Sequence, residues 1–140
     1  MVASPEMKTT RTGESPTAFI NRVEDVGRRA DCRELIAMMR DATGHPPKIW
    51  GSIIGFDTYR LKYANGKEID FMLTGFAPRK QDLVLYLGPG LERKELLAKL
   101  GKHKANGGCL HVKRLDDVDR SKLRALIDVS VREMRTRHPR

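Results

Sequence analysis

Two basic clusters, Arg79-Lys80 and Lys102-His103-Lys104, are the residues of this chain best suited to hold a ligand. The second cluster runs into Gly107-Gly108. Paired glycines let the backbone approach a bound group closely and turn its amides toward an anion. If the two clusters meet at one end of a sheet, Arg79, Lys80, Lys102, His103 and Lys104 surround that backbone. They would then give charge-assisted hydrogen bonds to a phosphate or carboxylate. The single tryptophan, Trp50, would serve as a hydrophobic wall, with Tyr59 and Tyr63 as alternative ring faces. The competing reading is a set of solvated loops whose glycines only make turns, with Trp50 in the core.

Other chemistry is thinner. Cys109 and His111 lie two apart on a strand-like run and so share a face. A Cys–His nucleophile pair has those residue types, but same-face neighbours on one strand seldom reach each other. His103, Cys109 and His111 match no zinc spacing. Asp116, Asp117 and Asp119 precede a helix, where acids serve as caps and dipole partners. Met38 and Met39 fall in a helical core stripe rather than a soft-metal site. Phosphate-loop, zincin and serine-hydrolase motifs are missing from the sequence. No cofactor, no metal and no catalytic residue is therefore assigned.

The 140 residues suit one domain with one core. Net charge is +9, which favours an anionic partner over a cationic one, although acidic residues are interleaved throughout. The polar stretch before Ser15 has no apolar centre, so export is not expected, and no run is long enough to span a bilayer. Two distant cysteines read as free thiols in a reducing cytoplasm. Expected partners are a small anionic ligand or an acidic protein, with nucleic acid as the alternative and no membrane. The chain is expected to be a monomer or a homodimer.

The elements that must position these residues follow from capping and periodicity. Residues 1–15 read as disordered and 16–137 as one domain. Ser15-Pro16 opens a short helix ending near Asp25 or Gly27. Asp31, with Glu34 three residues on, opens a second that Gly44 stops. Residues 48–51 read as a turn. Period-two alternation predicts strands over Phe56–Tyr63 and from Ile69 to Thr74, joined by Asn65-Gly66. Helices on one face would leave Thr58, Arg60 and Lys62 toward water. Residues 76–82 read as a loop, Leu83–Leu87 as a central strand, and Leu91–Leu100 as a helix. Residues 102–108 read as a flexible loop, Cys109–Lys113 as a fourth strand, and Asp119 as the cap of a long amphipathic helix. Helices followed by mostly adjacent strands mean α+β, with a mainly antiparallel sheet of four or five strands packed against helices.

Three segments together resemble the DUF1801 (YdhG-like) family: PPKIWGSIIGFDTYRLKY, TGFAPRKQDLVLYL and LLAKLGKHKANGGCLHVKRLDDVD. The resemblance covers residues 17–135. It implies a small α+β domain of bacterial cytoplasm and supplies no agreed activity. Distant relatives in the wider group suggest a frataxin-like metal chaperone, for which this basic chain lacks the acidic surface.

Overall fold

The computed structural model describes residues 12–139. The expectation of disorder at the N-terminus lies, up to residue 11, outside the described residues. At Thr12 the chain is already docked, its amide donating to the Ile49 carbonyl at 2.7 Å.

Helix α1 spans Pro16–Asn21, with Ser15 accepting from the Ala18 amide and Pro16 in the first turn. It stops several residues before the predicted end because a new helix needs its own cap. Asp25 supplies that cap, accepting from the Gly27 and Arg28 amides at 2.7 and 3.1 Å. Helix α2 therefore covers Val26–Thr43 and begins well before Asp31. Asp31 is buried inside it, and its carboxylate accepts from Arg114 Nε at 2.9 Å and the Leu115 amide at 3.1 Å. A residue that resembles a cap in sequence is thus a tie between distant segments. Gly44, at φ 74°, closes the helix in the left-handed conformation that glycine adopts without strain.

Six strands form one antiparallel sheet in the order β1-β2-β3-β4-β6-β5. They are β1 (Pro47–Trp50), β2 (Ile53–Lys62), β3 (Glu68–Pro78), β4 (Leu83–Tyr86), β5 (Lys104–Asn106) and β6 (Cys109–Val112). The count exceeds the predicted four or five because both edge strands come from segments read as non-strand. The expected turn at 48–51 is β1, which pairs Trp50 with Ile53 around Gly51-Ser52. The expected loop at 102–108 contains β5, paired with β6 around Gly107-Gly108. Strand β3 also runs on to Pro78, through half of the predicted loop, because Gly75–Pro78 pair with β4. Asn65-Gly66 makes the hairpin turn as expected, with Gly66 at φ 88°. Arg60 and Lys62 are exposed as expected, and Thr58 is half-buried.

The predicted 91–100 helix is two shorter pieces, a 3-10 turn at Gly88–Glu92 and helix α3 at Lys94–Ala98. Gly90 lies so close to the last helix that a Cβ there would sit 2.8 Å from the Leu126 carbonyl oxygen. That last helix, α4 (Arg120–Arg137), is capped by Asp119 as predicted.

The main core lies between the helices and one face of the sheet. Ile49, Ile54, Phe56, Phe76, Leu83, Leu85, Leu110 and Val112 meet Leu35, Met38, Met39, Leu123, Leu126 and Ile127. Burying these side chains gives roughly 1.5–3 kcal/mol each before conformational entropy is counted. On the other face, Trp50, Ile53, Met72 and Ala77 form a second, smaller cluster with Phe71 and Tyr86, which no helix residue joins. Gly55 and Gly75 are register partners beneath it. A Cβ on Gly55 would sit 2.6 Å from Trp50 Cδ1, so the glycine leaves room for the indole to lie on the strand. No helix among the described residues is long and apolar enough to cross a membrane.

Candidate functional site on the far face of the sheet

Register fixes which side chains share the face away from the helices. One row reads Ala77, Val84, His111, Lys104, and the next Gly75, Tyr86, Cys109, Asn106. Ala77 and Tyr86 belong to the second cluster, so both rows face away from the main core. Lys104 and the Cys109–His111 pair therefore lie on the same face as Trp50.

Arg79 reaches this face from the β3–β4 turn. Its amide donates to the Asp82 carbonyl at 2.8 Å, closing the turn. Its guanidinium donates to Ser52 Oγ at 2.7 Å and to the Tyr86 hydroxyl at 3.0 Å. From the helix side, Arg28 clamps the same turn by donating to the Arg79 and Asp82 carbonyls. The Asp82 side chain turns to His111, with Oδ2 3.1 Å from Nδ1. Positions 79–82 are thus held from both faces of the sheet.

The partners of Arg79 decide its electrostatics. Hydroxyls satisfy its hydrogen bonds but leave its charge uncompensated. Arg60, Arg93, Arg114, Arg120, Arg124, Arg135 and Arg137 each reach a carboxylate instead. Arg79 and Lys104 have no carboxylate partner among the described residues. Lys104, on β5, is level with Ala77 three inter-strand spacings away, and Arg79 lies two residues beyond Ala77, so the two backbones stand roughly 16 Å apart. With Arg79 held by Ser52 and Tyr86, an anion that meets both cations must carry two or more charged groups, with Lys104 supplying the reach.

The other predicted site residues are placed as follows. Lys80, together with Arg79, lines a cleft of about 500 Å³ on the helix side of the turn, with Phe19, Arg22, Arg28 and Asp25. Lys102 and His103 sit at the lip before β5. The Lys102 amide donates to the Asp117 carbonyl at 3.1 Å, and His103 Nδ1 lies 2.7 Å from the Gly101 carbonyl. Trp50 is only 5% exposed, which makes it a floor for the face rather than a plate on which a ring can stack. Tyr59 packs against the main core.

Ser52, Asp82 and Tyr86 were not legible as site residues. Ser52 is one residue of a turn that the sequence did not resolve. Asp82 and Tyr86 acquire their roles only through the pairing of β4 with β3 and β6.

Cys109 and His111 share the face as predicted, but no hydrogen bond joins them among the described residues. Burial pushes the Cys109 thiol up, against a smaller opposing pull from Arg79, so at neutral pH it stays protonated and is a poor nucleophile. No group of three or more metal-ligating side chains occurs among the described residues. Asp119 is spent on the α4 cap and Asp116 on Arg120, as acids before a helix should be.

Comparison of the chain with protein-family models, with curated proteins and with solved structures found no match.

Proposed function

We propose that this protein binds an anionic ligand, or the acidic surface of a partner, on the far face of its sheet, with Arg79 and Lys104 as the charged anchors. One observation carries the reading: the Arg79 guanidinium is fixed by two neutral hydroxyls above a face that also presents Lys104. A cation held in place without a counter-ion loses little side-chain freedom on meeting an anion, and charge-assisted hydrogen bonds form at once. The separation of the two anchors favours a diphosphate or dicarboxylate over a lone phosphate. Lys80, Lys102 and His103 add long-range attraction around the site rather than contacts within it.

The resemblance to the DUF1801 family belongs to the same proposal and adds no chemistry to it. The working setting is a cytoplasmic one, supported by Cys32 and Cys109 both being free thiols.

A thermal-shift series with orthophosphate, pyrophosphate and a nucleoside triphosphate at low salt tests the reading, because a ligand that binds the folded state must raise the midpoint. The polyanions should raise it more than orthophosphate does. Arg79→Ala and Lys104→Ala should each remove most of the rise; Lys104→Ala should leave the unliganded midpoint nearly unchanged, and Arg79→Ala should lower it modestly through loss of the bonds to Ser52 and Tyr86. A rise that survives both substitutions, or no rise with any of the anions, rejects the site. A larger response to single-stranded oligonucleotide, with a steep loss in salt, would transfer the proposal to nucleic acid.

A further inference from the structure

Asp57 is the only non-glycine residue with positive φ, 59°, among the described residues, and it lies in the middle of β2. The ladder passes from Phe56↔Thr74 to Thr58↔Met72 without pairing it. A backbone in this conformation persists where surrounding contacts hold it. Here the contacts are polar and come from three elements. Asp57 Oδ1 accepts from the Thr58 amide at 2.8 Å. Oδ2 accepts from Arg135 Nη2 of α4 at 3.0 Å and lies 3.6 Å from His45 Nε2, just past the end of α2. The same Arg135 nitrogen donates to the Thr43 carbonyl, closing the C-terminal turn of α2. Burial alone would push the Asp57 carboxyl up, yet Arg135, the Thr58 amide and His45 together hold it below the usual carboxylate range.

This cluster lines a cleft of about 710 Å³, together with Pro46, Lys48 and Trp50. Lys48 is exposed and has no carboxylate partner among the described residues. It shares a face of β1 with Trp50, two residues on, whose Nε1 edge lies over Gly55 and has no acceptor among the described residues. One carboxylate thus faces Arg135, Lys48 and, when protonated, His45, so the cleft is cationic overall. A latch joining α2, β2 and α4 accounts for Asp57 and Arg135 but requires neither Lys48 nor an open cleft beside them.

We infer that this cleft, at the β1 edge of the sheet, is a second anion site, distinct from the Arg79–Lys104 pair, that takes a small organic carboxylate or phosphate ester. The charged group lies between Lys48 and His45, while Arg135 stays engaged with Asp57 and the Thr43 carbonyl. The uncharged part lies against Pro46 and the edge of Trp50. The apolar edge that Pro46 and Trp50 present beside the cations is why an ester or a substituted carboxylate is assigned.

The single tryptophan gives one indole N–H resonance, so NMR titration reads the site directly. Benzoate and phenyl phosphate should shift the Trp50 indole and His45 ring signals saturably, with acetate weaker. Lys48→Ala removes an exposed, unpaired side chain without disturbing the fold and should weaken binding about tenfold, the worth of one charge-assisted contact. Arg79→Ala should leave these shifts in place. The inference is overturned if neither aromatic anion gives saturable shifts, if Lys48→Ala binds as well as the parent, or if Arg79→Ala abolishes the shifts, which would merge this site with the other.

Discussion

At the scale of single residues, what separates a working cation from a solvated one is its partner. Arg120 illustrates the spent kind: Glu34 and Asp116 both accept from it, and these bonds push its guanidinium further up. Arg79 illustrates the available kind, ordered by Ser52 and Tyr86 with no carboxylate partner among the described residues. The cysteines divide in a similar way. Cys32 is wholly buried and its thiol is pushed up to about 11 by that burial, whereas Cys109 is part-exposed on the far face. A disulfide reagent at mildly alkaline pH should therefore modify Cys109 slowly in the native protein and reach Cys32 only on unfolding. Two thiols reacting at the same rate without denaturant would contradict the burial of Cys32.

At the scale of elements, the far face exists because two glycines oppose each other at its centre. Gly55 makes room for Trp50, and a Cβ on Gly75 would sit 2.6 Å from the Ile54 carbonyl oxygen. Backbone cannot yield as a flexible side chain can, so Gly75→Ala must shift β2 against β3. Overpacking of this kind typically costs about 1–3 kcal/mol, which a urea titration resolves as a lower midpoint at unchanged slope. Native-like stability in that variant would mean the strands are freer to move than the register implies.

Elements also show where the sequence was legible. The helix caps at Ser15 and Asp119, the stop at Gly44 and the Asn65-Gly66 hairpin are local, because a few neighbouring residues decide them. The strands at 47–50 and 104–106 are not local. Each is short, carries little alternation, and becomes a strand only because a longer neighbour offers a ladder. Asp31 and Asp25 make the same point for helices. Both are plausible caps, and the tertiary tie to Arg114 and Leu115 is what occupies Asp31. Arg79 and Lys104 could be chosen by residue type alone. Their common face follows from the order β3-β4-β6-β5, which no local pattern encodes.

At the scale of the whole molecule, the sheet divides the work. One face is spent on the helical core, and the other carries a small apolar cluster, Arg79, Lys104 and the Asp82–His111 pair. The molecule is also held together by carboxylates that must stay ionised. Amide hydrogen bonds hold Asp25 and Asp119 below their ordinary range, and Asp57 is lowered by Arg135, the Thr58 amide and His45 despite its burial. A carboxyl whose folded pKa is depressed contributes stability that is complete above its unfolded pKa and is lost as pH falls through the folded value. These three groups should leave the melting midpoint level from pH 7 down to about 5 and lower it progressively below about pH 4, the ordinary Asp range. A midpoint that holds level to pH 3 would show that the three contacts do not stabilise the fold.

Calorimetric titration of pyrophosphate into the parent protein, the Arg79→Ala and Lys104→Ala variants and the double variant tests the central claim most directly. If both side chains grip one ligand, each substitution weakens binding, and the double variant loses less than the sum of the two single losses. Independent, additive losses, or affinity that none of the variants changes, would mean that the two cations do not form one site.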